Sequence, residues 1–237
     1  MRPGVSEVIF SKMLAIWLTN YKNPNSIGAK LRTKRIAPLL ACIDQIFIAK
    51  GSVSIIDIGG SENYWKIIPL DFLKSRNVHI SILNLPGIEF KSNSDLFSHL
   101  EMDACNLPEI KDKQFDIAHS NSVLEHVGDW GRMKLFAIEL QRVENKYFIQ
   151  TPNYWFPIEP HCMTPFFHWL PKPARMFLVS NLQLGHWQRA KNTSEAVDIV
   201  ESARLLNYKM FKALFPTANI KTERLFFIPK SFVASNT

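Results

Sequence analysis

The chain predicts an α/β protein built on a Rossmann-like, doubly wound sheet of seven strands, the last of them antiparallel. Three observations predict it. Short β-branched runs alternate with helical patterns after residue 50. The first run, Val53-Ser-Ile-Ile-Asp-Ile58, opens onto Gly59-Gly60, where a backbone can turn tightly against a ligand. The last two runs are separated only by Ile228, Pro229 and Lys230, which is hairpin spacing and reverses the final strand against its neighbour.

The elements follow in order. Residues 1–50 form a helical arm in which Lys30, Arg32, Lys34 and Arg35 alternate with apolar residues. Strands are expected at 52–58, 78–83, 100–102, 115–120, 147–150, 220–227 and 231–235. Met133, Phe136, Ala137 and Leu140 mark the apolar face of one helix. Leu206, Met210 and Leu214 mark another, stopped by Pro216. Between residues 151 and 191, Pro152, Pro157, Pro160 and Pro165 stand among Trp155, Phe156, Phe167 and Trp187. This stretch is too aromatic for disorder and too rich in proline for a long helix. It reads as a lid inserted after the fifth strand of a domain spanning 51–237.

Composition sets bounds. With 237 residues, 46% of them hydrophobic, the chain can bury a sizeable core. Cys42, Cys105 and Cys162 are odd in number and widely spaced, which suggests neither a disulfide framework nor a zinc knuckle. Lys12 and Asp44 interrupt the apolar runs of the arm, so no membrane span is expected, and the protein reads as cytoplasmic. Residues 1–50 hold eight Lys or Arg against Glu7 and Asp44, six of the seven net positive charges. Such an arm could meet RNA or another phosphate-bearing partner; a solvated helical face is the preferred reading.

Three polar residues fall at the carboxyl ends of successive strands: Asp57, Asn84 and Asp103. In an open α/β sheet the ligand lies in the crevice beyond those ends. A side chain after strand two can bond ribose hydroxyls, and one after strand three can accept from an adenine amino group. Taken singly, Asp57 or Asp103 would equally cap a turn; the ordered set points to a nucleoside cofactor. The Gly-x-Gly-x-x-Gly signature of nicotinamide-binding folds is missing.

These residues resemble a family, the class I S-adenosylmethionine-dependent methyltransferases, and within it the small-molecule branch that includes quinone-biosynthesis enzymes. The resemblance covers roughly residues 35–235. It is carried by Asp57-Ile-Gly-Gly60, Asp103-Ala-Cys-Asn-Leu-Pro108 and Phe115-Asp-Ile-Ala-His-Ser-Asn-Ser-Val-Leu-Glu-His126. It implies that Asp57, Gly59 and Gly60 line the methionine end of S-adenosyl-L-methionine, with Ser61 at the next position of that turn. Asn84 would meet the ribose, Asp103 and Ala104 the adenine, and Ser120 the amino-acid portion. Ser61 stands where the family has glycine and Asn84 where it has an acid. An amide still bonds a hydroxyl, so altered affinity is expected and not lost binding.

The cofactor is an electrophile by itself, so the protein need only bind, align and desolvate. An alcohol acceptor also needs a base, and histidine suits neutral pH. His119 lies inside strand four and reads as sheet packing. The family resemblance places His126 near the acceptor. His161, in Glu159-Pro-His161, and His186, in Leu-Gly-His-Trp, could face the acceptor or brace the lid. Ser122-x-x-Glu125 reads as a capping box. Glu125-His126 lacks further ligands at a recognised spacing, so no metal is expected. The expected activity is methyl transfer, as O-methylation, to a small-molecule or saccharide-like acceptor beneath the lid. An RNA acceptor, or cofactor binding without turnover, are the alternatives.

Overall fold

The computed structural model describes residues 27–87, 94–185 and 187–236. Residues 1–26 of the arm, and His186, lie outside the described residues. Helices α1 (Ile27–Lys50), α2 (Glu62–Trp65), α3 (Leu70–Ser75) and α4 (Trp130–Val143) alternate with β1 (Val53–Ile58), β2 (Val78–Asn84), β3 (Phe97–Glu101), β4 (Phe115–Asn121) and β5 (Glu144–Pro152). After β5 come the two-residue strands β6 (Ile158–Glu159) and β7 (Thr164–Pro165), then α5 (Lys172–Asn181), α6 (Thr193–Glu201) and α7 (Tyr208–Leu214). The chain closes with β8 (Asn219–Leu225) and β9 (Ile228–Ser235).

Seven strands form one sheet in the order β3-β2-β1-β4-β5-β9-β8. All neighbours are parallel except at β9, which is antiparallel to both β5 and β8. This is the doubly wound α/β sheet expected from the sequence, with its final strand reversed. The order turns back between β1 and β4, the switch point beyond which such sheets hold ligands.

The sheet is covered on both faces, so β1, β2 and β4 are buried along almost their whole length, their polar residues included. On one face, Met133, Phe136, Ala137 and Leu140 of α4 pack with Phe211 and Leu214 of α7. On the other, Ile36, Leu39, Cys42 and Ile43 of α1 pack with Trp65 and Leu73. Burying each of the Leu, Ile, Phe and Met side chains among them contributes on the order of 1.5–3 kcal/mol. The described part of the arm is therefore a layer of the core. Arg35 turns inward and bonds Glu223 and Asn121, while Lys50, itself exposed, pairs with the buried Asp116.

Three details differ from expectation. The third strand spans Phe97–Glu101 instead of 100–102, because its pairing with β2 begins at Ile80↔Phe97. The fifth strand is longer than 147–150 at both ends, held by β4 and then by β9. The terminal hairpin turns at Phe226-Phe227, not at Ile228, Pro229 and Lys230. Phe226 adopts φ 55°, Leu225 pairs with Ile228, and a two-residue hairpin needs such a positive φ.

The inserted lobe begins and ends at one place. Asn153 bridges Leu206, and the Tyr154 amide donates to the Leu206 carbonyl at 2.9 Å. Between these points Cys162, Phe167, Val179, Ala196 and Val200 build a small core of their own, so the lobe continues through α6, past residue 191.

Candidate active site

The glycine turn is shaped from below. Gly59 has φ +68°, and a Cβ there would stand 2.5 Å from Val123 of the loop after β4. A Cβ on Gly60 would stand 1.8 Å from Asp57 Oδ2. Both glycines are thus required by close approach. The Asp57 carboxylate is sealed beneath the turn at 1% exposure. Trp65 Nε1 donates to its Oδ2 at 2.7 Å and His119 Nδ1 to its Oδ1 at 2.6 Å. His119 Nε2 meets the Tyr64 hydroxyl at 3.1 Å. Asp57 therefore braces the turn from within, and His119 does more than fill space: it holds that brace. Ser120 is also buried, its hydroxyl donating to the Ile58 carbonyl at 3.2 Å.

The rim of the crevice is open. Gly59 and Ser61 are exposed, and Asn84 and Asp103 are half-buried. The Asn84 amide donates weakly to the Gly60 carbonyl at 3.3 Å, leaving its own carbonyl oxygen as acceptor. Asp103 accepts from the Cys105 amide at 3.0 Å and from Arg132 Nη2 at 2.8 and 2.9 Å. Burial works against its charge, but Arg132 and the Cys105 amide outweigh it and hold the carboxyl below the usual range. Ala104 is buried beside it. Arg132 was not visible as a site residue in the sequence. It reaches Asp103 because Asp129 caps α4, accepting from the Arg132 amide at 2.9 Å.

The loop after β4 departs from the expected capping box. Ser122 has φ 57° and its hydroxyl donates to Gln150 Oε1 at 2.8 Å; the segment Leu124–His126 is a 3-10 turn without a side-chain cap. Freed from capping, Glu125 turns inward to 1% exposure. Thr151 Oγ1 donates to its Oε2 at 3.0 Å, and its Oε1 is buried without a partner. Burial pushes the Glu125 carboxyl up to about 7.

His161 arrives from the lobe and stacks edge to face on His126, ring centroids 4.6 Å apart. His126 Nδ1 bonds the Ser202 carbonyl at 2.7 Å and His161 Nδ1 bonds Glu159 Oε1 at 2.7 Å. Burial, only partly offset by the Ser202 carbonyl, lowers the His126 pKa. Burial also opposes charge on His161, but Glu159 and Glu125 outweigh it and hold that imidazole above its usual range. The lobe and its return chain enclose a cleft of ≈490 Å³ whose walls include Tyr154, Glu159, Trp187, Ser202 and Arg204. Glu159 and Ser202 are the residues that hold the two imidazoles, and the Arg204 amide donates to the Glu125 carbonyl at 2.7 Å. The cleft thus borders the histidine pair through Glu159 and Ser202, while the two rings themselves are not among its lining residues.

Among known proteins, no family model and no curated sequence matches this chain. Solved structures do, at low identity. A Rhodobacter sphaeroides chain provisionally named a zinc-dependent alcohol dehydrogenase has TM-score 0.49 and 10% identity, over 78% of this chain and 83% of that one. The 1,6-didemethyltoxoflavin-N1-methyltransferase of Burkholderia thailandensis, solved with 1,6-didemethyltoxoflavin and S-adenosylhomocysteine, has TM-score 0.48 and 10% identity over 97% and 87%. A Nostoc punctiforme chain provisionally named an O-methyltransferase has TM-score 0.43 and 11% identity over 86% of this chain. This chain spans 57% of the length of that one. The strand order makes this a Rossmann-like α/β sheet with antiparallel pairing at β9. With every quoted TM-score below 0.5, the fold rests on the chain's own strand order. Among the described residues, no helix is long and apolar enough to cross a membrane.

Proposed function

We propose that this chain is an S-adenosylmethionine-dependent methyltransferase that methylates an oxygen of a small-molecule or saccharide-like acceptor held beneath the lobe. One observation carries the reading. One loop links the open rim at the sheet's switch point to a cleft of the size that small ligands occupy: its Val123 lies against Gly59, and its Glu125 carbonyl accepts from Arg204 of the cleft wall.

The residues present fit such a cofactor. Gly60 and Ser61 would offer backbone N–H groups, while Gly59, whose own N–H is spent on the Leu83 carbonyl at 2.7 Å, would allow close approach. Asn84 would turn its side-chain Oδ1 to the ribose hydroxyls, and Asp103 with Ala104 would meet the adenine edge. Asp57 and Ser120 act from behind, fixing the turn and the end of β4. When bound, the cofactor supplies a methyl group already activated by its sulfonium. The chain's part is to align the acceptor, exclude water and take a proton. His126 and His161 suit the last task. A carbonyl and a carboxylate can only accept, so in each neutral ring Nδ1 carries the hydrogen and Nε2 keeps a lone pair.

Calorimetric titration with S-adenosylmethionine tests the reading. Saturable binding is expected, weakened at least tenfold in Asp103→Ala and Asn84→Ala, together with transfer of labelled methyl to a hydroxylated acceptor in a metabolite screen. Binding without any methylated product would favour a protein that keeps the cofactor but not turnover. No saturable binding by the wild-type protein would reject the proposal.

A further inference from the structure

The sequence shows Glu125 and His126 as an isolated pair; the fold adds a third donor. A carboxylate oxygen of Glu125 and an imidazole nitrogen from each of His126 and His161 all lie within 4.8 Å of one another. Both Nδ1 atoms donate to oxygen acceptors, so in each neutral ring the lone pair open to a ligand is on Nε2. Outer partners of this kind, a backbone carbonyl on one ring and a carboxylate on the other, are what orient metal-ligating histidines. The carboxylate is itself fixed: Glu159 Oε2 accepts from the amides of His161 and Cys162, each at 2.8 Å.

The second, independent observation is Glu125. Its side chain is 1% exposed and its Oε1 is buried with no hydrogen-bond partner. A carboxylate oxygen stranded in this way is costly unless a cation or a donor satisfies it. Thr151 serves only the other oxygen.

We propose that Glu125, His126 and His161 are the protein ligands of a mononuclear divalent-metal site, with the remaining coordination positions open. Two imidazoles and one carboxylate suit a first-row transition ion of the zinc(II) or iron(II) type. They do not suit calcium or magnesium, which take oxygen cages. Three ligands with open positions form a reactive site, where a structural zinc would be closed by four. Glu159 and Ser202, which hold the imidazoles, also line the cleft. In the methyltransferase proposed above, and resting on that reading, the ion would stand beside the acceptor, where it would ease loss of the hydroxyl proton.

The test uses the full-length protein, freed of metal by chelator and then titrated with Co²⁺ and Zn²⁺ by absorbance and calorimetry. One equivalent should bind and raise the midpoint of thermal unfolding. Glu159→Gln should lower the affinity about 10–100-fold, as loss of an outer partner does. Glu125→Gln, His126→Ala and His161→Ala should each lower it further. Each variant is compared at matched metal-free stability, and the half-buried His161→Ala decides if Glu125→Gln fails to fold. No uptake by the wild-type protein at millimolar ion, or variants that bind like wild type, would overturn the site. The two proposals separate cleanly: uptake of the ion without S-adenosylmethionine binding rejects the methyltransferase reading alone, and cofactor binding without uptake rejects the metal site alone.

Discussion

Replacing Gly60 with alanine should destabilise the protein by about 4 kcal/mol, and the structure indicates how. The added Cβ would stand 1.8 Å from Asp57 Oδ2, 2.2 Å from its Cγ and 2.8 Å from Oδ1. To reach an ordinary contact the carboxylate must withdraw by roughly 1.5 Å. It cannot do so freely, because it is 1% exposed and pinned by Trp65 at 2.7 Å and His119 at 2.6 Å. Overpacking alone costs about 1–3 kcal/mol. Weakening two hydrogen bonds to a buried charge adds about 1.5–3 kcal/mol. Gly87→Ala is the contrast: unlike Gly60 it carries a left-handed φ, +87°, but its Cβ meets nothing within 4 Å. It should cost only the strain of that φ, about 1–2 kcal/mol. Urea unfolding followed by far-ultraviolet circular dichroism measures both, at unchanged m-value. A Gly60→Ala protein no less stable than Gly87→Ala would refute the claim that Asp57 is a rigid brace under the turn.

Two further outcomes follow from the core and its rim. Glu144 is 1% exposed with Oε2 unpartnered, and burial, against the pull of Lys113 and Lys146, pushes its carboxyl from 4.5 up to about 7. The folded state then keeps a proton that the unfolded chain releases, so this contribution is fully present below about pH 4.5 and is lost as pH rises through 7. Wild-type stability should therefore fall, relative to Glu144→Gln, by on the order of 3 kcal/mol between pH 4 and pH 8; parallel pH profiles of the urea midpoints would contradict this. Arg35 holds Glu223 through two bonds of 2.7 Å and Asn121 through one of 2.6 Å. Arg35→Ala leaves a carboxylate that is 13% exposed without its ion partner and should cost about 3 kcal/mol in chemical denaturation, with only partial recovery in Arg35→Lys. A change below about 0.5 kcal/mol would assign the pair to the ordinary surface class.

What the sequence by itself determined is what local chemistry dictates. The β-branched run before Gly59-Gly60 is β1, the Met133–Leu140 face is the buried face of α4, and the reversed last strand follows from a loop too short for a crossover. Asn84 and Asp103 stand at the rim because a strand's length sets where its carboxyl end falls. Contacts between distant segments were beyond it. Nothing in Asp57 announces that Trp65 and His119 will occupy its oxygens, and nothing in Asp103 announces Arg132. The capping pattern Ser122-x-x-Glu125 misled because Ser122 takes a left-handed φ, a choice made by the bond to Gln150 across the sheet. His161 joins Glu125 and His126 only because the lobe leaves at Asn153 and returns at Leu206, adjacent points on the sheet. Periodicity encodes which face of an element is buried; it carries no record of which residues a closed loop brings together, and that closure made the cluster.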